Sequence, residues 1–139
     1  MVRLLDDWRR AVEFFTGQCL CGEIKYEIAS DPYFPHLCSC HICQRWAGAP
    51  VVAWAEFDLN TVKWVGPGGE PNWYRSSEKT RRGSCGKCGS GVCAIDDGSD
   101  SISITICTLD SPSIVTPSEQ HSFNDEVPMW YRSVIAATK

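Results

Sequence analysis

Long apolar runs are missing from this sequence. Nothing in its 139 residues is extended and apolar enough to cross a bilayer as a helix. The N-terminal stretch MVRLLDDWRRAVEFF is charged throughout and so lacks the uninterrupted apolar segment of a secretory leader. These absences lead us to expect a cytoplasmic protein with no membrane partner. Positive charge is also scarce. The 13 Lys and Arg against 17 Asp and Glu leave a formal net charge of −4, whereas gripping a phosphate backbone takes a concentrated basic face. Nucleic acid is therefore not expected as a partner, although a local basic cluster would still hold a small anion. Internal repeats, low-complexity segments and interdomain linkers are absent too, and the length fits one domain.

Cysteine, by contrast, is abundant. The nine are Cys19, Cys21, Cys38, Cys40, Cys43, Cys85, Cys88, Cys93 and Cys107. With 43% hydrophobic residues and six tryptophans, the chain can build a core without covalent staples. An odd number of cysteines in a reducing compartment does not describe a disulfide framework. Clustered thiols there point to a metal. The competing readings are a secreted disulfide domain and a set of buried free thiols.

Hydrophobic periodicity gives the outline. Residues 3–15 fit an amphipathic helix, with Leu4, Leu5, Trp8, Val12 and Phe15 near one face. Such a helix would pack on the domain or make a homo-oligomer contact. After Gly22, Ile24, Tyr26 and Ile28 alternate with Glu23, Lys25 and Glu27, the pattern of a half-buried strand. Asp31-Pro32 and Pro35 mark a loop. Strands are expected at 51–57, 62–65, 72–76, 92–95 and 101–107, with Ile102, Ile104 and Ile106 turned to the core. The tail MWYRSVIAATK fits strand or helix equally well. Many short strands with frequent turns predict an all-β domain over 17–139, preceded by a helical extension over 1–16.

The cysteines fall into two constellations. Cys85-Gly86-Lys87-Cys88, followed by Gly89, is a C-x-x-C knuckle whose glycines permit a tight turn. It supplies two of the four ligands a closed zinc site needs, and Cys19 and Cys21 are the natural other pair. Four thiolates around one dication leave excess negative charge, which Lys87, Arg81 and Arg82 are placed in sequence to offset. The expected role is structural. The second constellation, Cys38-Ser39-Cys40-His41-Ile42-Cys43, offers three thiols. Three protein ligands leave a position open for chemistry. The alternatives are a closed site completed by His41, Cys93 or Cys107, and an empty or redox-active one. Cys93 and Cys107 are expected to lie buried on strands. His36 and His121 are isolated in sequence.

Taken together, these motifs resemble the glutathione-dependent formaldehyde-activating enzyme family, which is grouped with the centromere protein V family. The resemblance rests on Gly17, Cys19, Cys21, Gly22 and Tyr26; on Cys38, Cys40, Cys43, Arg45 and Gly48; on Tyr74, Ser76 and Ser77; on Arg82, Cys85, Cys88, Gly89 and Ser90; on Thr108, Leu109 and Asp110; and on Pro117, His121 and Trp130. It departs from the family pattern at Ser39, where histidine is frequent, at Ser84, where an aromatic is common, and at Cys107, where glycine is common. The resemblance implies an all-β "tent" fold carrying a structural zinc and a second, more labile zinc. It also implies carbon–sulfur lyase chemistry of the kind that forms S-hydroxymethylglutathione from formaldehyde and glutathione.

The expected function is thus a zinc-dependent lyase acting on a small thiol adduct. Zinc held by Cys38, Cys40 and Cys43 would favour the thiolate form of the substrate sulfur. Arg45 and Arg82 are candidates to hold a substrate carboxylate, or else surface salt-bridge residues. His41 and His121 are candidates to move a proton. The alternative is a non-catalytic zinc module that binds a protein or a thiol ligand.

Overall fold

The computed structural model describes the backbone of residues 2–7 and 10–137 and the side chains from Phe15 onward. In chain order the elements are β1 (Val2–Asp7), β2 (Arg10–Gln18), β3 (Lys25–Ile28), β4 (Tyr33–Cys38), α1 (His41–Ala47), β5 (Val52–Asp58), β6 (Val62–Trp64), β7 (Asn72–Arg75), β8 (Thr80–Ser84), β9 (Gly91–Asp96), β10 (Ser101–Thr105), β11 (His121–Ser122) and α2 (Met129–Ala137). Among the described residues they form two open sheets. One has the order β1-β2-β3-β6, and the other β11-β4-β5-β10-β9-β8-β7. Every pairing is antiparallel except the short parallel one between β11 and β4. No helix among the described residues is long and apolar enough to cross a membrane.

The two sheets share one core, and alternation decides what enters it. Ile24, Tyr26 and Ile28 are all buried, as the period-two pattern requires. From the larger sheet come Ala55, Phe57, Val92, Ile95, Ile102 and Ile104. The sheets also touch through the backbone. Gly17 bridges to Leu109, and Asp110 N–H donates to Thr16 O at 2.9 Å. Gly17 has to be glycine here, since a Cβ would strike the Tyr26 hydroxyl and the Thr108 carbonyl. That approach lets Tyr26 Oη share a 2.9 Å hydrogen bond with Thr108 Oγ1.

Several expectations need correction. The helix expected over 3–15 is replaced by strands β1 and β2, with Trp8 and Arg9 outside the described residues. An isolated helix of that length is marginal in water, whereas β2 gains a full ladder, Phe15 pairing with Ile28 and Gly17 with Tyr26. The loop expected around Pro35 is strand β4. Proline cannot donate to a ladder, so the register slips between Tyr33 and His36, and Phe34 takes a φ of 45°. The Cys38–Cys43 segment runs into a short helix, α1, and the undecided tail is helix α2. The strand expected through Cys107 ends at Thr105. A 3-10 turn over Ile106–Thr108 keeps Ile106 buried but turns Cys107 outward, so Cys107 is exposed where burial was expected. Cys93 is buried in β9, as expected.

Candidate metal centres and the adjoining groove

Two turns bring the first set of sulfurs together. Cys19 and Cys21 lie between β2 and β3, and Cys85 and Cys88 lie between β8 and β9. Their ligand atoms all fall within 4.8 Å of one another. Cys21 Sγ is 3.7 Å from Cys19 Sγ and 3.7 Å from Cys85 Sγ. A tetrahedron with Zn–S bonds of about 2.3 Å has edges of about 3.8 Å, so the spacing suits a four-thiolate ion. The backbone is arranged for anionic sulfur as well. Ile24 N–H donates to Cys19 Sγ at 3.3 Å, and the N–H groups of Lys87 and Cys88 donate to Cys85 Sγ at 3.3 and 3.4 Å. Donors to sulfur favour the charged form. Against the upward push of burial, the Ile24 amide and the Cys21 and Cys85 thiols draw Cys19 below its ordinary value. Ser90 holds Cys88 down to about 5 through its hydroxyl, 3.2 Å away, and its backbone.

The cations expected to balance this site are engaged elsewhere. Lys87 Nζ lies 3.6 Å from Glu23 Oε1, and the Arg81 guanidinium sits 4.7 Å from the centre of the Trp73 ring. Arg82 belongs to the other cluster.

That cluster is Cys38, Cys40 and Cys43, again with sulfurs within 4.8 Å of one another. Among the described residues the grouping takes in none of His41, Cys93 and Cys107, so the closed four-ligand alternative finds no support. Cys38 ends β4, and Cys40 caps α1, its Sγ accepting from Cys43 N–H at 3.3 Å. Gly48 closes α1 with a φ of 61°, a left-handed cap that glycine adopts readily. The thiols are unequal. A hydrogen bond from Cys38 and the charge of Arg82, working against burial, hold Cys43 down to about 5. The same bond, together with burial, pushes Cys38 well up. The donor set and its amide contact fit a dication held by three thiolates.

Around the trio stand residues that motif spacing does not reveal. The rings of Trp46 and Trp54 stack with centroids 5.6 Å apart at 8°, and Arg82 lies 5.0 Å and 5.6 Å from those ring centres. Arg82 Nη2 reaches Cys43 Sγ at 3.5 Å, and Nε donates to Ser76 Oγ at 3.2 Å. Gln44 Nε2 donates to the carbonyls of Ser39 and Glu126, at 2.7 and 2.9 Å. Fully buried Ser39 shares a 2.8 Å hydrogen bond with His121 Nε2, which sits in β11 beside β4. Burial, and then the charge of Arg132, keep His121 below the ordinary histidine value. In the sequence His121 stands as an isolated histidine and a proton-transfer candidate; its contact with Ser39 spans 82 residues and is not legible from spacing.

The other sequence candidates lie farther out. His41 is exposed, with Nε2 3.9 Å from Glu126 Oε2. Arg45 is exposed on the last turn of α1 and lines a shallow groove with Pro50, Pro128 and Trp130. Beside α1 lies a second groove of about 400 Å³, walled by Trp46, Val52, Gly91, Thr105, Cys107 and Thr108. Trp46 and Val52 also pack against Cys38 and Cys43, so groove and trio share a wall.

The fold and these clusters define a mostly β protein with two thiol-rich candidate metal centres, one next to an apolar groove. The glutathione-dependent formaldehyde-activating enzyme family model matches residues 14–126, and the chain belongs to that family. A crystal structure of a Rhodobacter sphaeroides protein superposes with a TM-score of 0.60 at 18% identity, covering 77% of this chain and 98% of that one. That likeness speaks to the fold. No curated protein matches the sequence.

Proposed function

We propose that this protein is a zinc-dependent carbon–sulfur lyase that makes or breaks the adduct of a small thiol, such as glutathione, with formaldehyde or a related aldehyde. The observation that carries this reading is the shared wall. Three convergent thiols stand directly behind Trp46 and Val52, which line a groove of a size suited to part of a small-molecule adduct. Cys38, Cys40 and Cys43 would hold the reactive zinc, and Cys19, Cys21, Cys85 and Cys88 the structural one. Bound at the trio, zinc supplies Lewis acidity that favours the thiolate form of a substrate sulfur.

The chain's own residues do the rest. Trp46, Val52 and Ala53 give the groove lining its apolar character, and Thr105 and Thr108 are its hydroxyl-bearing members. Thr108 Oγ1 donates to the Thr105 carbonyl at 2.8 Å, so the Tyr26 hydroxyl is the donor in its bond to Thr108. Arg45, on the outer end of α1, is the candidate for a substrate carboxylate. His41, with 76% of its side chain exposed, is the proton-transfer candidate on the solvent side. The nine unbridged cysteines suit a reducing, cytoplasmic setting.

The test follows exchange between formaldehyde, glutathione and S-hydroxymethylglutathione by NMR, with zinc content measured in parallel. Wild type is expected to accelerate exchange. Cys40→Ala is expected to abolish that acceleration while keeping the fold and one zinc. Full activity in Cys40→Ala ends the proposal. Thiol binding without any acceleration replaces it with a non-catalytic zinc-binding module.

A further inference from the structure

Arg82 is an unusual residue to find in a core. It is only 7% exposed, and the guanidinium stays charged under all ordinary conditions. A buried charge is costly unless it is paired. Yet no carboxylate pairs with Arg82 among the described residues. Nε is spent on the neutral Ser76 hydroxyl, and Nη1 is buried with no hydrogen-bond partner among the described residues. The two tryptophan faces offer attraction to a cation but carry no counter-charge. The anionic candidate within reach is the cysteine trio, which Nη2 already touches through Cys43 Sγ at 3.5 Å.

Charge counting gives this arrangement a purpose. Three thiolates around a dication carry a net charge of −1, and one guanidinium cancels it. The stacked indoles flank the guanidinium, and its Nη2 reaches one sulfur of the trio, Cys43 Sγ. A lysine at this place would supply the charge without that planar fork.

We infer that Arg82 is the charge-balancing and positioning residue of the three-cysteine centre, rather than a substrate-carboxylate ligand. Its buried cation lies against the Cys43 sulfur and sets the metal affinity of that site alone. The inference rests on the reading that the trio holds a dication.

The test uses the full chain loaded with zinc and titrated against a chromophoric chelator, with the four-cysteine site as internal control. Arg82→Met removes charge and donors together. It is expected to weaken the second, looser zinc by about 10- to 100-fold, the usual effect of losing an outer-shell partner, and to leave the tighter zinc unchanged. In cobalt-substituted protein, the sulfur-to-cobalt charge-transfer band of the second ion is expected to shift in the same variant. Arg82→Lys keeps the cation and Arg82→Gln keeps only donors, so Lys is expected to hold the second metal more tightly than Gln. That ordering decides the matter if Arg82→Met does not fold. Unchanged affinity and spectrum in Arg82→Met, equal weakening of both zincs, or a Gln variant that binds as tightly as the Lys variant overturns the inference. A wild-type protein that shows this dependence on Arg82 but turns over no adduct refutes the lyase reading and leaves the inference standing. A lyase whose second zinc is indifferent to Arg82 does the reverse.

Discussion

Gly91 is where backbone geometry and the candidate site meet, and replacing it by alanine gives a sharp expectation. A Cβ at this position would lie 2.5 Å from both Cη2 and Cζ2 of Trp46. Carbon atoms pack comfortably at about 3.5–4.0 Å, so roughly an ångström of room has to be found. Trp46 is poorly placed to provide it, being stacked on Trp54 with the Arg82 guanidinium against its face. The backbone at Gly91 is no freer, because it pairs with Ser84 at the start of β9. Overpacking of this kind costs about 1–3 kcal/mol. In a chain of this size that corresponds to a fall in Tm of roughly 3–10 °C. Thermal unfolding by circular dichroism in excess zinc measures it. Because Arg82 leans on the displaced ring, the second zinc is expected to weaken in parallel. Trp46→Phe removes the atoms that clash, so the double variant is expected to recover, with a coupling of about 1 kcal/mol or more in a double-mutant cycle. A wild-type Tm in Gly91→Ala, or strictly additive effects, refutes the reasoning.

Further expectations concern metal and pH. A strong chelator that strips the four-cysteine site is expected to abolish cooperative unfolding, since a structural zinc contributes of order 10 kcal/mol; calorimetry before and after zinc is restored checks this. Burial in β9 pushes the Cys93 thiol up to about 12 from an ordinary 9.0. Its folded value is raised, so its contribution is fully present below pH 9.0 and is lost as the pH climbs toward about 12. The stability difference between wild type and Cys93→Ala, from urea melts, is expected to shrink between pH 8 and pH 10.5. Tyr26→Phe leaves the ring in the core but removes the bond to Thr108, and is expected to cost about 0.5–1.5 kcal/mol by the same melts.

Much of the centre was legible in the sequence because its constraint is local. Cys85-Gly86-Lys87-Cys88 and Cys38-Ser39-Cys40 place sulfurs through one or two turns of chain, and the alternation of Ile24, Tyr26 and Ile28 names the buried face directly. What stayed hidden was settled by long-range pairing. Arg82 looked like a companion of the adjacent knuckle. The fold instead sets it against Trp46 and Trp54, residues separated from it by tens of positions. The N-terminal segment misled for a related reason. Its apolar spacing satisfies a helical face, but β3 offers β2 a partner that periodicity alone cannot register. Cys107 turned outward because a 3-10 turn broke the alternation after Thr105, and no proline or glycine announced the break.

The knuckle between β8 and β9 does two jobs at once. Gly89 and Ser90, whose hydroxyl touches Cys88 Sγ and accepts from Leu20 N–H at 2.9 Å, also form one side of the groove beside α1. Scaffold and workplace therefore meet in the same few peptide units. A lesion that loosens the turn carrying Cys85 and Cys88 would also deform the groove wall, so a loss of the proposed activity in such a variant would not by itself place the fault at the three-cysteine cluster.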